Sequence, residues 1–307
     1  MGVFFKDYVS AGVGISKHAP KKKGAALFFD ILGRKFWKLL AINFMYMLFF
    51  LPFLLILLAL AIFKNSYYGF VISAGVLLAA FAVLIGPATA GMTKVIKSFV
   101  IEKPAFIWRD FWSAFKSNFK NAAIVGFIDC VVFASAFSSL QVYPAIAKQT
   151  GSKAIYIPMV IAFSLFLVII IMNYYIFPMM IATTLSLKNL IKNSFALAFV
   201  ALKQNFLIFI VSLLTFALMG VLLFFVFPVF MLLMPFFPAA FLCLFSCFIS
   251  YPVIQKYVIN PYYTSIGEIN PELVDDTADD EERIFEDMGG KEKPIEKRTK
   301  GKGKRIS

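Results

Sequence analysis

Apolar residues fall in long unbroken runs separated by short polar stretches. Neither the 3.6-residue stripe of a half-buried helix nor the alternation of a strand dominates. Residues 39–63 and 69–92 are free of charge, each as long as or longer than the roughly 20 residues a helix needs to cross a bilayer. Residues 122–142 and 155–182 form two further runs, the first interrupted by Asp129. No charge occurs from Gln204 to Gln255. As one helix this stretch would measure about 78 Å, more than twice the hydrocarbon thickness, so two spans fit. The turn between them is expected within residues 227–238, where Pro228, Pro235 and Pro238 break helices. The fold class expected is all-α, a polytopic membrane protein of about six transmembrane helices occupying residues 39–258.

The polar stretches divide into three kinds. Residues 1–38 are basic and end in a mixed apolar and charged segment, 25–38, that reads as an interfacial helix. Two cytoplasmic connectors are expected at 92–121 and 183–205. In the first, Trp108, Phe111, Trp112, Phe115 and Phe119 fall on one side of a helix with Arg109, Lys116 and Lys120 along its border, which predicts a helix anchored at a membrane surface. Residues 259–307 form a charged tail with an acidic block followed by a basic one, and are expected to be disordered.

Composition agrees with the pattern. The 307 residues are 61% hydrophobic and include 38 Phe, with a mean hydropathy of +0.83, well above soluble domains. Lys and Arg number 30 against 17 Asp and Glu, a formal charge of +13. The excess sits beside the apolar runs: residues 1–38, 92–120 and 183–205 carry 17 Lys/Arg, and the opposite loops carry 3. By the positive-inside rule both termini are expected in the cytoplasm. Bases placed in this way are a topology signal and not a nucleic-acid footprint, so no nucleic-acid partner is expected.

Candidate chemistry is sparse. Cys130, Cys243 and Cys247 lie inside apolar runs without His or carboxylate neighbours, so neither a disulfide framework nor a metal centre is expected. No nucleotide loop or nucleophile elbow occurs, and neither enzymatic activity nor a cofactor is expected. Asp129 is the one acidic residue inside a span, and Asn43 and Asn173 are further intramembrane polar residues. Gly126, Cys130, Ala134 and Ser138 repeat at i, i+4 and predict a ridge for helix packing. A weak echo links Phe111-x2-Ala114-Phe115-x5-Asn121 to Phe195-x2-Ala198-Phe199-x5-Asn205, suggesting that hairpins two–three and four–five are parallel repeats.

The small-residue patch Gly86-Pro87-Ala88-Thr89-Ala90-Gly91, followed by Trp108-Arg109-Asp110-Phe111-Trp112-Ser113-Ala114-Phe115 and Phe119, closely resembles the YesL-like family of bacterial membrane proteins. Asn43, Leu51-Pro52, Phe177-Pro178 and Asn193-Ser194 add to the likeness, which covers roughly residues 27–230. The family has no established activity. Its members tend to be encoded beside carbohydrate uptake systems, so the resemblance implies an accessory protein of the bacterial plasma membrane. The signature residues would then be a contact surface for a carbohydrate transporter component or a signalling protein. A second expectation is a small-solute transporter whose polar path runs past Asp129 and Asn173. The oligomeric state is not expressed in the pattern.

Overall fold

A computed structural model describes residues 22–63 and 66–272. The basic N-terminus before Lys22, residues 64–65 and the bipolar tail beyond Glu272 lie outside the described residues, and with them the expected tail disorder. Two units divide the chain: residues 24–270 form one, and only Lys22, Lys23, Pro271 and Glu272 of the other are described.

The described residues are helices joined by short turns, without strands. α1 (Ala25–Arg34) buries Phe28 and Ile31. α2 (Phe36–Met47) follows after a break at Lys35 and, through a 3-10 turn at Leu48–Phe50, feeds α3 (Leu51–Ile62). The 3-10 turn falls just before Pro52, which sits in the first turn of α3, where its missing N–H costs nothing. α4 (Tyr67–Val100) is capped by Ser66, whose Oγ accepts from the Gly69 N–H at 3.2 Å. α5 (Ile107–Ser117) and α6 (Phe119–Thr150) follow, then α7 (Tyr156–Ala182), α8 (Leu187–Val200) and α9 (Leu202–Phe225). Short α10 (Phe227–Leu233) precedes α11 (Pro238–Ile254), which runs through a π-helical turn, Gln255–Ile259, into α12 (Asn260–Ser265).

Among the described residues, six helical segments are long and apolar enough to span a membrane: Phe36–Ile62, Tyr67–Val100, Phe119–Thr150, Lys153–Ala182, Leu202–Phe225 and Pro238–Ser265. The chain is a multi-pass helical membrane protein, and the many exposed Leu, Phe, Val and Ile side chains on these helices suit contact with lipid. The turn between spans five and six falls inside the stretch expected for it.

Three boundaries differ from the sequence reading. α4 does not stop at Met92 but continues to Val100, so Lys94 and Lys97 stand on the span and not in a loop. A charge on a long flexible stem can reach past its helix, and therefore does not end it. α6 likewise overruns Val142 to Thr150, closed by Gly151 at φ 69°. The last helix passes residue 258, because Ile259 is buried and Tyr263 packs on the core of α7 and α8; Asn270 Nδ2 then donates to Asn260 Oδ1 at 2.9 Å. The ordered chain thus extends past the expected start of the tail.

α4 is the hub, packing on α3, α5, α6, α7 and α11. One core joins α1, α2, α4, α5 and the first half of α11, where the Phe28 ring meets Phe241, Phe245 and Phe248 edge-on. A second joins α7, α8 and the end of α11 around Tyr175, Met179, Leu190 and Tyr251. The order span, short helix, span occurs twice, as α4–α5–α6 and α7–α8–α9, following the echo in sequence.

Candidate functional site

Small residues on α4 let its neighbours approach. A Cβ on Gly86 would stand 1.9 Å from the Ala122 carbonyl oxygen, and one on Gly126 would stand 2.7 Å from the Gly86 nitrogen. The two helices therefore cross backbone to backbone. Pro87, Ala88 and Ala90 are buried beside this crossing. On another side of α4, a Cβ on Gly91 would stand 2.9 Å from the Phe111 carbonyl oxygen. The glycine-bounded patch thus carries two interfaces, with α6 and with α5.

α5 is seated by this patch. Its stripe divides: Phe111, Ala114 and Phe115 are buried, with Phe111 and Phe115 against Phe49, while Trp108 is 66% exposed and Phe119 is also exposed. The helix is thus docked on the bundle through half of the stripe, not laid free on a surface. Asp110 accepts from the Phe106 N–H at 2.8 Å, closing the start of the helix. Arg109 lies over the Phe106 ring, 4.5 Å from its centre, and pairs with Asp110 at 3.4 Å. Sequence placed Arg109 towards lipid phosphates; the structure gives it these protein partners.

Of the expected ridge on α6, Gly126 meets the backbone of α4, and Gly126, Cys130, Ala134 and Ser138 all line a cavity. An i, i+4 row names the residues of one helix face but not what stands opposite them. The cavity measures ≈ 1360 Å³ and lies between α4, α6, α7, α9 and α11, larger than the roughly 300–1,000 Å³ of common ligand pockets. Its walls are chiefly aliphatic and aromatic.

Polar side chains from several helices line this cavity. Asn173 Nδ2 on α7 donates to Asp129 Oδ1 on α6 at 2.8 Å. The Tyr46 hydroxyl on α2 is 3.0 Å from Thr89 Oγ1 on α4, and Thr93 Oγ1 is 3.7 Å from Cys243 Sγ on α11. At about 1.5 Å per residue, Asp129 stands roughly 15 Å along its helix from Phe119, and Thr89 roughly 12 Å from Lys97. For Asp129 this is about half of a hydrocarbon layer about 30 Å thick.

The chain is interrupted just before the sixth span. α10 packs beside α9 and ends at Leu233, and α11 starts at Pro238. Asn43, fully buried in α2, bridges the interruption: its Nδ2 donates to the Met234 carbonyl at 3.3 Å, and its Oδ1 accepts from the Ala240 N–H at 2.7 Å. A freed carbonyl from α10 and a leading N–H of α11 are satisfied where no water would do it. The Phe236 ring stacks on Phe44 beside it.

Sequence reasoning missed the roles of two residues here. Lys97, only 7% exposed, lies over the Tyr251 ring at 5.0 Å from its centre, although its position read as part of a basic connector. Asn205, also buried, accepts from the Tyr175 hydroxyl at 2.5 Å and donates to the Ala198 carbonyl at 2.9 Å. It thereby ties α7 to the end of α8. Asn205 was visible as the last position of the repeated motif, whereas Lys97 carried no signal.

A protein family described as "protein of unknown function, DUF624" matches residues 39–140, from α2 into α6. The matched stretch contains Asn43, Thr89, the Gly86–Gly126 crossing, α5 and Asp129, and its description carries no activity. No curated protein and no solved structure matches the chain.

Proposed function

We propose that the chain is a non-catalytic protein of the bacterial plasma membrane, with both termini cytoplasmic, that receives an amphipathic small molecule from within the bilayer. One observation carries this reading: an apolar cavity of ≈ 1360 Å³ that holds the hydrogen-bonded pair Asp129 and Asn173 at mid-depth. A carboxylate in the hydrocarbon region is costly, and its placement on a cavity wall supports a role in binding. The first turns of the sixth span, which starts after an interruption of the helix, put Ala239, Leu242 and Cys243 on the wall, and transporters likewise use helix ends around their binding sites.

Labelling tests the reading. A neutral alkyl alcohol carrying a diazirine, added to vesicles containing the full chain, should crosslink to cavity residues near Ala134 and Ser138. Ser138→Trp should abolish that labelling. Equal labelling of the cavity wall and of outward residues such as Phe224 would overturn it.

The exposed end of α5 favours a second reading. Trp108 and the Arg109–Phe106 stack form an aromatic and basic edge beside a docked helix, which suits an accessory protein that contacts a transport partner. The resemblance to the YesL-like family points to carbohydrate uptake. The cavity wall argues against a sugar as its occupant, because each sugar hydroxyl would need a polar partner. A role in carbohydrate uptake would therefore run through α5 and a partner. Recovery of the same stoichiometric partner with and without Trp108→Ala would count against that edge.

A further inference from the structure

Hydrogen-bond capacity at mid-depth is unbalanced. Asp129 Oδ1 takes the Asn173 amide proton, no donor reaches Asp129 Oδ2 among the described residues, and Asn173 Oδ1 is buried without a partner. Two acceptor oxygens thus stand together with nothing to accept from. Among the described residues lining the cavity Asp129 is the one carboxylate, and no Lys, Arg or His joins it. The site thus offers a carboxylate and an amide oxygen, with no basic side chain facing them among the described cavity residues.

One turn along α6 from Asp129, and two turns along α7 from Asn173, aromatic rings gather. Phe133 stacks with Phe137 at 6.5 Å between centres and meets Phe166 edge-on at 5.9 Å, with Phe163 a further 5.9 Å from Phe166. All four rings line the cavity. Ring faces attract cations, the more so without water, and the rings also offer apolar area to a bulky body.

We propose that the cavity takes a lipophilic organic cation, with its charge against Asp129 and Asn173 and its apolar body against the phenylalanine cluster. This rests on the reading of the cavity as a ligand site, and adds the charge and shape of the ligand. A single anionic group explains selection of a cation, and the volume explains a substituted or long-chain one over a metal ion.

The test compares two ions of one shape, tetraphenylphosphonium and tetraphenylborate, on the full chain in phosphatidylcholine nanodiscs. Tetraphenylphosphonium should bind saturably above empty discs and block labelling by the neutral diazirine alcohol. Tetraphenylborate should do neither. Asp129→Asn should weaken phosphonium binding by about tenfold or more, the effect of losing roughly 1.4 kcal/mol, and Asp129→Glu should retain it. Equal binding of the two ions, or phosphonium binding unchanged in Asp129→Asn, overturns the proposal. If the neutral probe still labels the cavity in that case, the ligand-site reading survives and only the charge class falls; if it does not, both fall. Should Asp129→Asn not fold, the comparison of the two ions on the unaltered chain decides alone.

Discussion

Asn43 satisfies two backbone groups at the interruption before the sixth span. Single side-chain hydrogen bonds between membrane helices average only about 0.6 kcal/mol. Removing Asn43 does more, because it strands a carbonyl and an N–H in a dry interior. Asn43→Leu should therefore cost about 1–3 kcal/mol, read as a lowered Tm in detergent; an unchanged Tm would show that the interruption finds other partners. Tyr175→Phe follows the same logic. Asn205 Nδ2 keeps its bond to the Ala198 carbonyl at 2.9 Å, but the buried Oδ1 loses its donor, so the loss should be about 1–3 kcal/mol by the same assay. Residues of this kind were legible as polar positions in apolar runs: Asn43, Asp129 and Asn173 stood out. Their partners were not, since Met234 and Ala240 contribute only backbone atoms, and Lys97 resembles any other interfacial lysine.

At the scale of elements, the crossing of α4 and α6 sets how wide the cavity opens above it. Gly86→Ala would put a methyl 1.9 Å from the Ala122 carbonyl oxygen, and neither backbone can yield without the helices parting. Overpacking of this kind costs about 1–3 kcal/mol. Gly220→Ala on α9 serves as the control, because nothing stands within 4 Å of its Cβ position. It should be neutral or stabilise the helix by up to about 1 kcal/mol. Equal Tm values for the two variants would refute the crossing as the fixed point. Run length alone gave the six spans and the place of the final turn. It did not give their ends, because Lys94 and Lys97 could stay helical. Nor did spacing reveal that the Gly126–Ser138 row lines a cavity, since that depends on what stands opposite it. The aromatic stripe of α5 was legible as a stripe, but its division between Phe111 and Trp108 follows from the seat at Gly91.

For the molecule as a whole, six crossings put both ends of the membrane domain on one side. Lys188 precedes the middle of α8 at the end rich in Lys and Arg, and Lys148 lies near the opposite end of α6. With native cysteines replaced, Lys188→Cys should react with an impermeant maleimide only from the cytoplasmic side, and Lys148→Cys only from outside. Labelling of both from one side would reject the six-span topology. The bridge at Asn43 also carries a consequence for synthesis. The start of span six is completed by span one, through bonds from Asn43 to Met234 and Ala240. Span one must therefore keep that edge open until span six is made. A polypeptide ending after α9 would leave the Asn43 amide facing fatty acyl chains, a ready mark for the proteases that clear unfinished membrane proteins.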